Sequence, residues 1–272
     1  MTFMQQLRQR WSDSGSLVCV GLDPEPAKFP RRFREDPDAV FAFCRDIADA
    51  TAPYVCAFKP QIAHFAALGA EGALERLVGH IHAAHPGVPV ILDAKRGDIG
   101  STAQRYAAEA FDRYRADAVT VNPYLGGDSL QPYLERADRG VVVLCRTSNP
   151  GACDLQDLAV DGRPLYQHVA ALAAGTWNGN GNVALVVGAT WPRQLREVRA
   201  IVGDMPLLVP GVGAQGGDAA EVVRSARTAD GTGLIVSSSR AILHASGGDD
   251  YAEAAAAAAR GLRDLLDRHR GG

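Results

Sequence analysis

The sequence lacks a strong charge of either sign. Its 272 residues carry 28 Lys and Arg against 31 Asp and Glu, which gives a formal net charge of −3 at pH 7. Proteins that bind nucleic acid or an anionic membrane surface through their overall field carry a clear basic surplus. The charge balance therefore argues against both partners, and any anionic ligand must be held by local groups.

The sequence also lacks long hydrophobic runs and paired cysteines. No run approaches the ~20 apolar residues that a membrane span needs, and the start, MTFMQQLRQRW, has no apolar stretch typical of a signal peptide. The cysteines show no Cys-x-x-Cys spacing. We therefore expect a soluble, cytoplasmic protein whose thiols stay reduced. The cysteines are Cys19, Cys44, Cys56, Cys145 and Cys153.

What the sequence does contain is a globular composition and a regular alternation of two patterns. Apolar residues make up 47% and charged residues 22% of the chain, which is typical of a protein with a large core. Short runs that are apolar throughout, as in a parallel sheet covered on both faces, predict eight strands. They span residues 17–22, 55–59, 88–95, 118–122, 141–146, 183–187, 207–210 and 234–237.

Longer segments with helical periodicity separate these runs. They predict helices over residues 38–51, 69–84, 102–115, 129–137, 164–177, 192–202, 218–227 and 250–268. Strands that alternate with helices in this way predict an α/β protein with a (β/α)8 TIM barrel, as a single domain over residues 1–272. The alternative is an open doubly wound sheet, which would usually end sooner or add a second domain. The long loops at 23–37 and 147–163 are expected to be functional.

In such a barrel the functional residues lie at the carboxyl ends of the strands. The densest group of charges there is Asp93, Lys95 and Asp98 at strand three, with Lys59 at the end of strand two. Because Asp93 and Lys95 are two residues apart, both side chains are expected to face the barrel mouth. The spacing predicts a row of alternating charges, which is either catalytic machinery or a structural salt-bridge network at the rim.

Glycine-rich and serine-rich segments follow strands seven and eight. These loops form the recurrent phosphate site of this barrel class, and Arg240 could grip a phosphate together with backbone amides. The segment from Gly211 to Gly216 also matches the dinucleotide pattern G-x-G-x-x-G. We reject a dinucleotide site, because that pattern belongs after a first strand and the next strand here ends in Ser-Ser-Ser-Arg, without an acid for the ribose.

Several histidines and one aspartate have less specific interpretations. His80, His82 and His85 lie at the end of the second predicted helix, where histidine is favourable, and we interpret them as a solvated helix end rather than a metal site. His64, which follows strand two, is interpreted as a packed or capping residue. Asp23 ends strand one and is a candidate for hydroxyl recognition, with a capping role as the alternative.

Six motifs stand in order along residues 17–240, and the longest is Asp93-Ala-Lys95-Arg-Gly-Asp98-Ile-Gly-Ser-Thr102. The others are Gly21-Leu-Asp23-Pro, Phe58-Lys59-Pro, Thr147-Ser148-Asn-Pro-Gly151, Pro210-Gly-Val-Gly-Ala-Gln215 and Ser-Ser-Arg240. Together these motifs resemble the orotidine 5′-phosphate decarboxylase family. The Arg-Gly between Lys95 and Asp98, and the long loop after strand five, are similar to the bacterial subgroup called type 2.

The resemblance implies an enzyme that converts orotidine 5′-monophosphate to uridine 5′-monophosphate and CO2, the last step of de novo pyrimidine synthesis. It implies no metal and no organic cofactor, and a homodimer with two shared active sites. The chemistry is consistent with such a site. Loss of CO2 from C6 leaves a carbanion that the ring cannot delocalise, so the charge must be stabilised by a fixed cation.

Carried over by position, the resemblance also implies a role for each site residue. Lys95 is the expected proton donor to C6, Asp93 lies beside the departing carboxylate, and Asp98 comes from the partner subunit. Lys59 is expected to hold Asp93 and a ribose hydroxyl. The expected substrate contacts are Asp23 and Thr102 to the ribose, Ser148 or its neighbour Thr147 to the pyrimidine, and Gln215 and Arg240 to the phosphate, with Pro210 and Ser239 beside them.

Three alternatives are weighed against this interpretation. Sister barrel enzymes that use Mg²⁺, a sugar-phosphate decarboxylase or a hexulose-phosphate synthase, have a carboxylate at the end of strand two, where Lys59 would repel a metal. A Schiff-base aldolase would need a neutral Lys59 or Lys95, whereas flanking carboxylates favour the charged form. A nucleotide-binding module without catalysis would not need the intact charged row.

Overall fold

The strands that carry the site form a ring of parallel neighbours. They are β1 (Val18–Leu22), β2 (Ala57–Pro60), β3 (Ile91–Arg96), β4 (Ala118–Val121), β5 (Gly140–Arg146), β6 (Val183–Val187), β7 (Leu207–Pro210) and β8 (Leu234–Ser238). The computed structural model describes residues 1–212 and 218–271. The strand order is β2-β1-β8-β7-β6-β5-β4-β3, and the isolated bridges Phe58–Val90 and Gln61–Asp93 join β2 to β3. The predicted (β/α)8 barrel is confirmed.

Helices alternate with the strands, as the sequence pattern predicts. They span Phe3–Asp13, Ala39–Thr51, Ile62–Ala66, Glu71–Ala84, Gly100–Ala108, Gly127–Leu134, Leu165–Ala174, Pro192–Val202, Ala219–Ala226, Arg240–Leu243 and Tyr251–Asp267. The helix predicted from residue 102 begins two residues earlier and continues into a π-helical turn, Glu109–Arg113. In the described ranges, no helix is both long enough and apolar enough to cross a membrane.

The long loop after β5 contains a small hairpin that the sequence analysis did not predict. Ala159–Val160 pairs antiparallel with Arg163–Pro164. At the turn, Asp161 and Gly162 both have positive φ, +49° and +77°, which is the signature of an Asp-Gly type I′ turn. Pro164 therefore belongs to the hairpin, and the helix predicted from that residue begins one residue later.

An additional helix, Phe3–Asp13, covers the amino-terminal end of the barrel. Its buried face consists of Phe3, Leu7 and Trp11, and Trp11 Nε1 donates to the carbonyl of Leu234 at the start of β8 (2.9 Å). Phe3 packs against Gly140 at the start of β5, so closely that a Cβ there would overlap its ring. This end is sealed by apolar packing, which leaves the opposite end for chemistry.

The pattern of burial along the strands also indicates that the polar site lies at the carboxyl end of the barrel. Every residue of β1, β2, β6 and β8 is buried, as expected for strands of a parallel sheet covered on both faces. Strand β3 is buried only as far as Asp93, and its last residues are partly exposed. The polar side chains thus emerge from the core at the carboxyl ends of the strands.

Candidate active site

The four residues of the predicted charged row divide into a connected group of three and a separate fourth. Lys59 Nζ, at the carboxyl end of β2, donates to Asp93 Oδ2 at 2.7 Å, and Lys95 Nζ donates to Asp93 Oδ1 at 2.6 Å. Lys59 and Asp93 are buried, whereas the side chain of Lys95 is 47% exposed. One carboxylate therefore bridges two ammonium groups, of which Lys95 is the more exposed.

Thr120 in β4, which the sequence analysis did not single out, holds this group in place. Its Oγ1 donates to Asp93 Oδ1 and accepts the backbone N–H groups of Ala94 and Lys95, each at 2.9 Å. The register of β3 against β4 shifts in this segment, and Lys95 has a φ of +47°. That left-handed conformation costs about 1–3 kcal/mol in a non-glycine residue, so the hydrogen bonds around it must over-determine it.

The electrostatics keep Asp93 and Lys59 charged. Burial alone would raise the pKa of Asp93, but Lys59 and Lys95 together hold it well below its usual range. Burial likewise opposes the charge on Lys59, yet Asp93 and Asp23 raise its pKa well above its usual value. The site is therefore a preformed arrangement of charges rather than a switchable one.

Asp98 and Thr102 lie apart from this group within one chain. Asp98 Oδ1 accepts the backbone N–H of Ile99 at 2.8 Å, and no lysine of the described ranges pairs with its carboxylate. Thr102 is exposed on the first turn of the helix Gly100–Ala108, and Ile99 is 59% exposed. A single subunit therefore joins Lys59, Asp93 and Lys95, and its own Asp98 does not extend the row.

A cavity of about 180 Å³ adjoins Lys59 at the ends of β1, β7 and β8. It is lined by Asp23, Lys59, Pro210, Gly211, Val212, Ser237, Ser238, Ser239 and Arg240. Among the predicted substrate-binding residues the structure thus brings together Asp23, Pro210, Ser239 and Arg240. The predicted phosphate ligand Gln215 lies outside the described residues.

Two features of this cavity suit a polar ligand. Asp23 Oδ1 is buried and has no hydrogen-bond partner, and a buried acceptor left unpaired costs about 1–3 kcal/mol until a donor reaches it. Arg240 is exposed, and no carboxylate of the described residues pairs with it. Nearby, His64 Nδ1 lies 3.2 Å from the carbonyl oxygen of Pro24, which agrees with its interpretation as a packed residue.

The two candidates for contact with the base, Thr147 and Ser148, behave differently. Thr147 Oγ1 donates to Asn149 Oδ1 at 2.6 Å and also contacts Gln156, so it belongs to the internal structure of the long loop. Ser148 Oγ makes no hydrogen bond to any described residue, and Ser148 packs against Gly188 at the end of β6, where a Cβ would lie 2.7 Å from its own. Ser148 is the better placed of the two to meet a ligand.

Arg146, at the end of β5, anchors the same loop. It is wholly buried, and its guanidinium donates to both carboxylate oxygens of Asp157, at 3.0 and 2.9 Å. The guanidinium also lies 4.3 Å from the ring of Trp191, whose Nε1 donates to the Thr147 carbonyl at 3.1 Å. An arginine at the end of an apolar strand is a signal that the sequence does contain. Its partners could not be predicted, because Asp157 and Trp191 lie in two separate loops.

A larger cavity, of about 590 Å³, lies away from these charges. Its lining is mainly apolar and includes Leu144, Tyr166, Val169 and Trp177. A charged ligand needs polar partners to replace its hydration, and this cavity offers few. We therefore assign the candidate active site to the charged row and its adjoining smaller cavity.

Comparison with known proteins decides the family. The model of the orotidine 5′-phosphate decarboxylase / HUMPS family matches residues 16–257, which is most of the chain. The chain belongs to this family. The orotidine 5′-phosphate decarboxylase / HUMPS assignment confirms the resemblance that the sequence motifs carry.

Within the family, whole-chain relatives share one name. Proteins named orotidine 5′-phosphate decarboxylase from Azoarcus sp. (strain BH72) and Cupriavidus metallidurans are each 61% identical, over 270 and 272 residues. These matches cover 99% and 100% of this chain and the full length of both relatives.

Solved structures agree with the fold and the family. The OMP decarboxylase of Leishmania donovani is 40% identical with a TM-score of 0.87, and the match covers 100% of both chains. The UMP synthase of Leishmania donovani is 42% identical with the same TM-score, over 99% of this chain and 56% of that one. The barrel described above is therefore the barrel of this family.

Proposed function

We propose that this protein decarboxylates orotidine 5′-monophosphate to uridine 5′-monophosphate and CO2, the last step of de novo pyrimidine synthesis. The observation that carries the proposal is the Lys59–Asp93–Lys95 row beside a cavity lined by Asp23 and Arg240. The family also contains HUMPS members. The buried ammonium of Lys59 at the end of β2 disfavours a Mg²⁺-dependent reaction, since it occupies the place where such a reaction needs a carboxylate.

Lys95 is the group that we assign to the reacting carbon. Loss of CO2 leaves an electron pair on C6 of the pyrimidine, and no ring position can accept it. An ammonium fixed beside C6 stabilises that charge as it develops, and then donates a proton to form the C–H bond. Lys95 is the only member of the connected group with an exposed side chain, and Asp93 and Thr120 fix its position.

Asp93 and Lys59 set the charges around that step. Asp93 stays ionised next to the position of the departing carboxylate, and Lys59 balances its charge from the buried side. Because these groups are already aligned in the free protein, little reorganisation accompanies the reaction.

The rest of the substrate is held by the adjoining cavity and the loop after β5. Asp23 Oδ1 is the acceptor that a ribose hydroxyl can satisfy, and Arg240 is the cation for the phosphate, beside Pro210 and Ser239. Ser148 is the contact to the pyrimidine. Phosphate binding far from C6 supplies free energy that positions the base at Lys95.

We further propose a homodimer in which the partner's Asp98 completes each site. Two observations support this. Asp98 contacts no lysine among the described residues of its own chain, and the neighbouring apolar Ile99 is 59% exposed. Thr102 lies on the same exposed segment, which supports a contact to the ribose at the proposed subunit interface. A cytoplasmic location fits the four buried, unpaired thiols Cys19, Cys44, Cys56 and Cys145.

The decisive experiment follows the absorbance of orotidine 5′-monophosphate with purified protein and no additives. Wild type should consume the substrate with or without EDTA. Lys95→Ala should lose at least about 10²–10³-fold in kcat and still bind uridine 5′-monophosphate. Turnover that needs added Mg²⁺, or a Lys95→Ala variant as active as wild type, would overturn the proposal.

A further inference from the structure

Three side chains converge on one point at the surface, far from the charged row. His80 Nε2 and His85 Nε2 each lie 2.7 Å from the same oxygen of Asp49, Oδ1. All three potential ligand atoms lie within 4.8 Å of one another. Two imidazole nitrogens and one carboxylate oxygen form a donor set that late first-row divalent metals prefer, unlike the all-oxygen sets of Mg²⁺ and Ca²⁺.

The fold explains why these residues meet. Asp49 stands in the last turn of the helix Ala39–Thr51, and His80 and His85 stand at the end of the helix Glu71–Ala84. The ends of both helices lead into the next strands, β2 and β3, at the amino-terminal end of the barrel. His82, on the same helix, instead contacts Asp117 at 2.9 Å, so only two of the three neighbouring histidines join the group.

The local field favours a cation at this point. The carboxyl end of a helix carries a partial negative charge, and two such ends meet here together with a carboxylate. Arg45, on the same helix as Asp49, pairs with Asp46 at 2.7 Å, and its charge also acts on Asp49. A divalent cation here would therefore be surrounded by the Asp49 carboxylate, the carboxyl ends of two helices and the neutral imidazole nitrogens of His80 and His85.

We propose that Asp49, His80 and His85 bind a Zn²⁺-type divalent transition metal at the amino-terminal face of the barrel, which replaces the interpretation of His80 and His85 as part of a solvated helix end. With metal–ligand bonds of about 2.0–2.1 Å, a tetrahedral ion separates its ligand atoms by about 3.3 Å. The two nitrogen–oxygen separations of 2.7 Å need to widen by about 0.6 Å, and the two imidazole nitrogens already lie within 4.8 Å of each other. The side chains can move because they are 21% to 42% exposed. Water completes the coordination, since no fourth ligand side chain of the described residues joins the group.

Such an ion has a structural role rather than a catalytic one. It links the helix after β1 to the helix before β3, on the face of the barrel where residues serve stability. Binding to the folded state alone stabilises that state by mass action. The effect of the ion should therefore appear in the unfolding temperature, whereas the proposed decarboxylation does not depend on it.

The test uses the full-length protein at pH 7.5, stripped with EDTA and dialysed. Isothermal titration calorimetry with ZnCl2 should show one equivalent bound, and CoCl2 should give ligand-field absorption bands. At a Zn²⁺ concentration about 100-fold above Kd, the unfolding midpoint should rise by at least about 5 °C. Loss of an outer-shell partner alone weakens metal affinity by about 10- to 100-fold, so His80→Ala and His85→Ala should each weaken it by at least that much.

The matched control is His82→Ala. His82 lies on the same helix, but it contacts Asp117 and does not belong to the proposed metal site. This variant should bind Zn²⁺ as wild type does. If His80→Ala fails to fold, His85→Gln keeps a polar group of similar size and tests the same site. Absence of a one-to-one complex in wild type, or affinity unchanged in the His80 and His85 variants, would overturn the proposal.

Discussion

Lys59 Nζ lies 2.7 Å from Asp93 Oδ2, and neither side chain is more than 9% exposed. Removing one partner of such a pair leaves an uncompensated buried charge, which typically costs about 3–5 kcal/mol of stability. The same ion pair therefore has two roles. It stabilises the barrel between β2 and β3, and it sets the charge beside the proposed reaction centre.

The first prediction concerns the dependence of stability on pH. Burial would raise the pKa of Asp93, but Lys59 and Lys95 lower it well below its usual range. In the unfolded chain the carboxyl titrates near ~3.9, so the stabilisation is fully present above that pH and is lost as pH falls towards the native pKa. Urea unfolding of wild type should show this loss below about pH 5, and Asp93→Asn should show a shallower slope.

The control for that experiment is Asp154→Asn, which changes an exposed carboxylate without an ion pair in the described residues. It should keep the wild-type slope. An Asp93→Asn variant with the same slope as wild type would contradict the assignment of the low pKa.

The second prediction concerns the shared site. A chain with Asp98→Ala mixed with a chain with Lys95→Ala should regain activity, because one site of each heterodimer contains both an intact Lys95 and the partner's intact Asp98. At equal amounts, half of the dimers are mixed and each has one working site, so about a quarter of the wild-type activity is expected. No recovery in dimers shown by mass spectrometry to be mixed would refute sharing.

The third prediction concerns the loop after β5. Asp157→Asn should remove one of the two hydrogen bonds from the buried guanidinium of Arg146, weaken the other, and loosen the loop that carries Ser148. Because small displacements of positioning groups are costly, kcat/KM should fall by about tenfold or more. Asp154→Asn in the same loop serves as the control and should leave kcat/KM unchanged. Equal kinetics in the two variants would show that the Arg146 anchor does not position the loop.

The fourth prediction concerns Gly21, in β1. A Cβ at this position would overlap Ser239 Oγ and lie 2.9 Å from Ser239 Cβ, next to the proposed phosphate contact. Gly21→Ala should therefore weaken binding of uridine 5′-monophosphate, measured by calorimetry. Gly72→Ala is the control, since its Cβ would meet nothing within 4 Å, and it should raise stability by up to about 1 kcal/mol. Unchanged nucleotide affinity in Gly21→Ala would contradict the close approach at Ser239.

The barrel and the location of its candidate site could be predicted because both depend on local patterns. Strands buried on two faces are apolar throughout, and Lys59, Asp93 and Lys95 interrupt that pattern at one end. The N-terminal helix also carries a local signal, the capping box formed by Thr2 and Gln5.

Other features depended on contacts between distant segments and could not be predicted. Thr120 is an ordinary strand residue until the register places it against Asp93, 27 residues away. Asp49 lies 31 and 36 residues from its two histidine partners, on another helix. No local pattern marks such a pairing.

The helix Phe3–Asp13 has a consequence for the order in which the chain assembles. Its Trp11 donates to the carbonyl of Leu234, a residue 223 positions later, at the start of the last strand. During synthesis this contact has to wait until that strand has left the ribosome, although the helix itself is made first. The two ends of the chain are therefore joined late, at a high cost in loop closure. In a ribosome-bound chain that stops before β8, the end of this helix around Trp11 should be cut by protease more readily than in the released full chain, because Trp11 still lacks its partner.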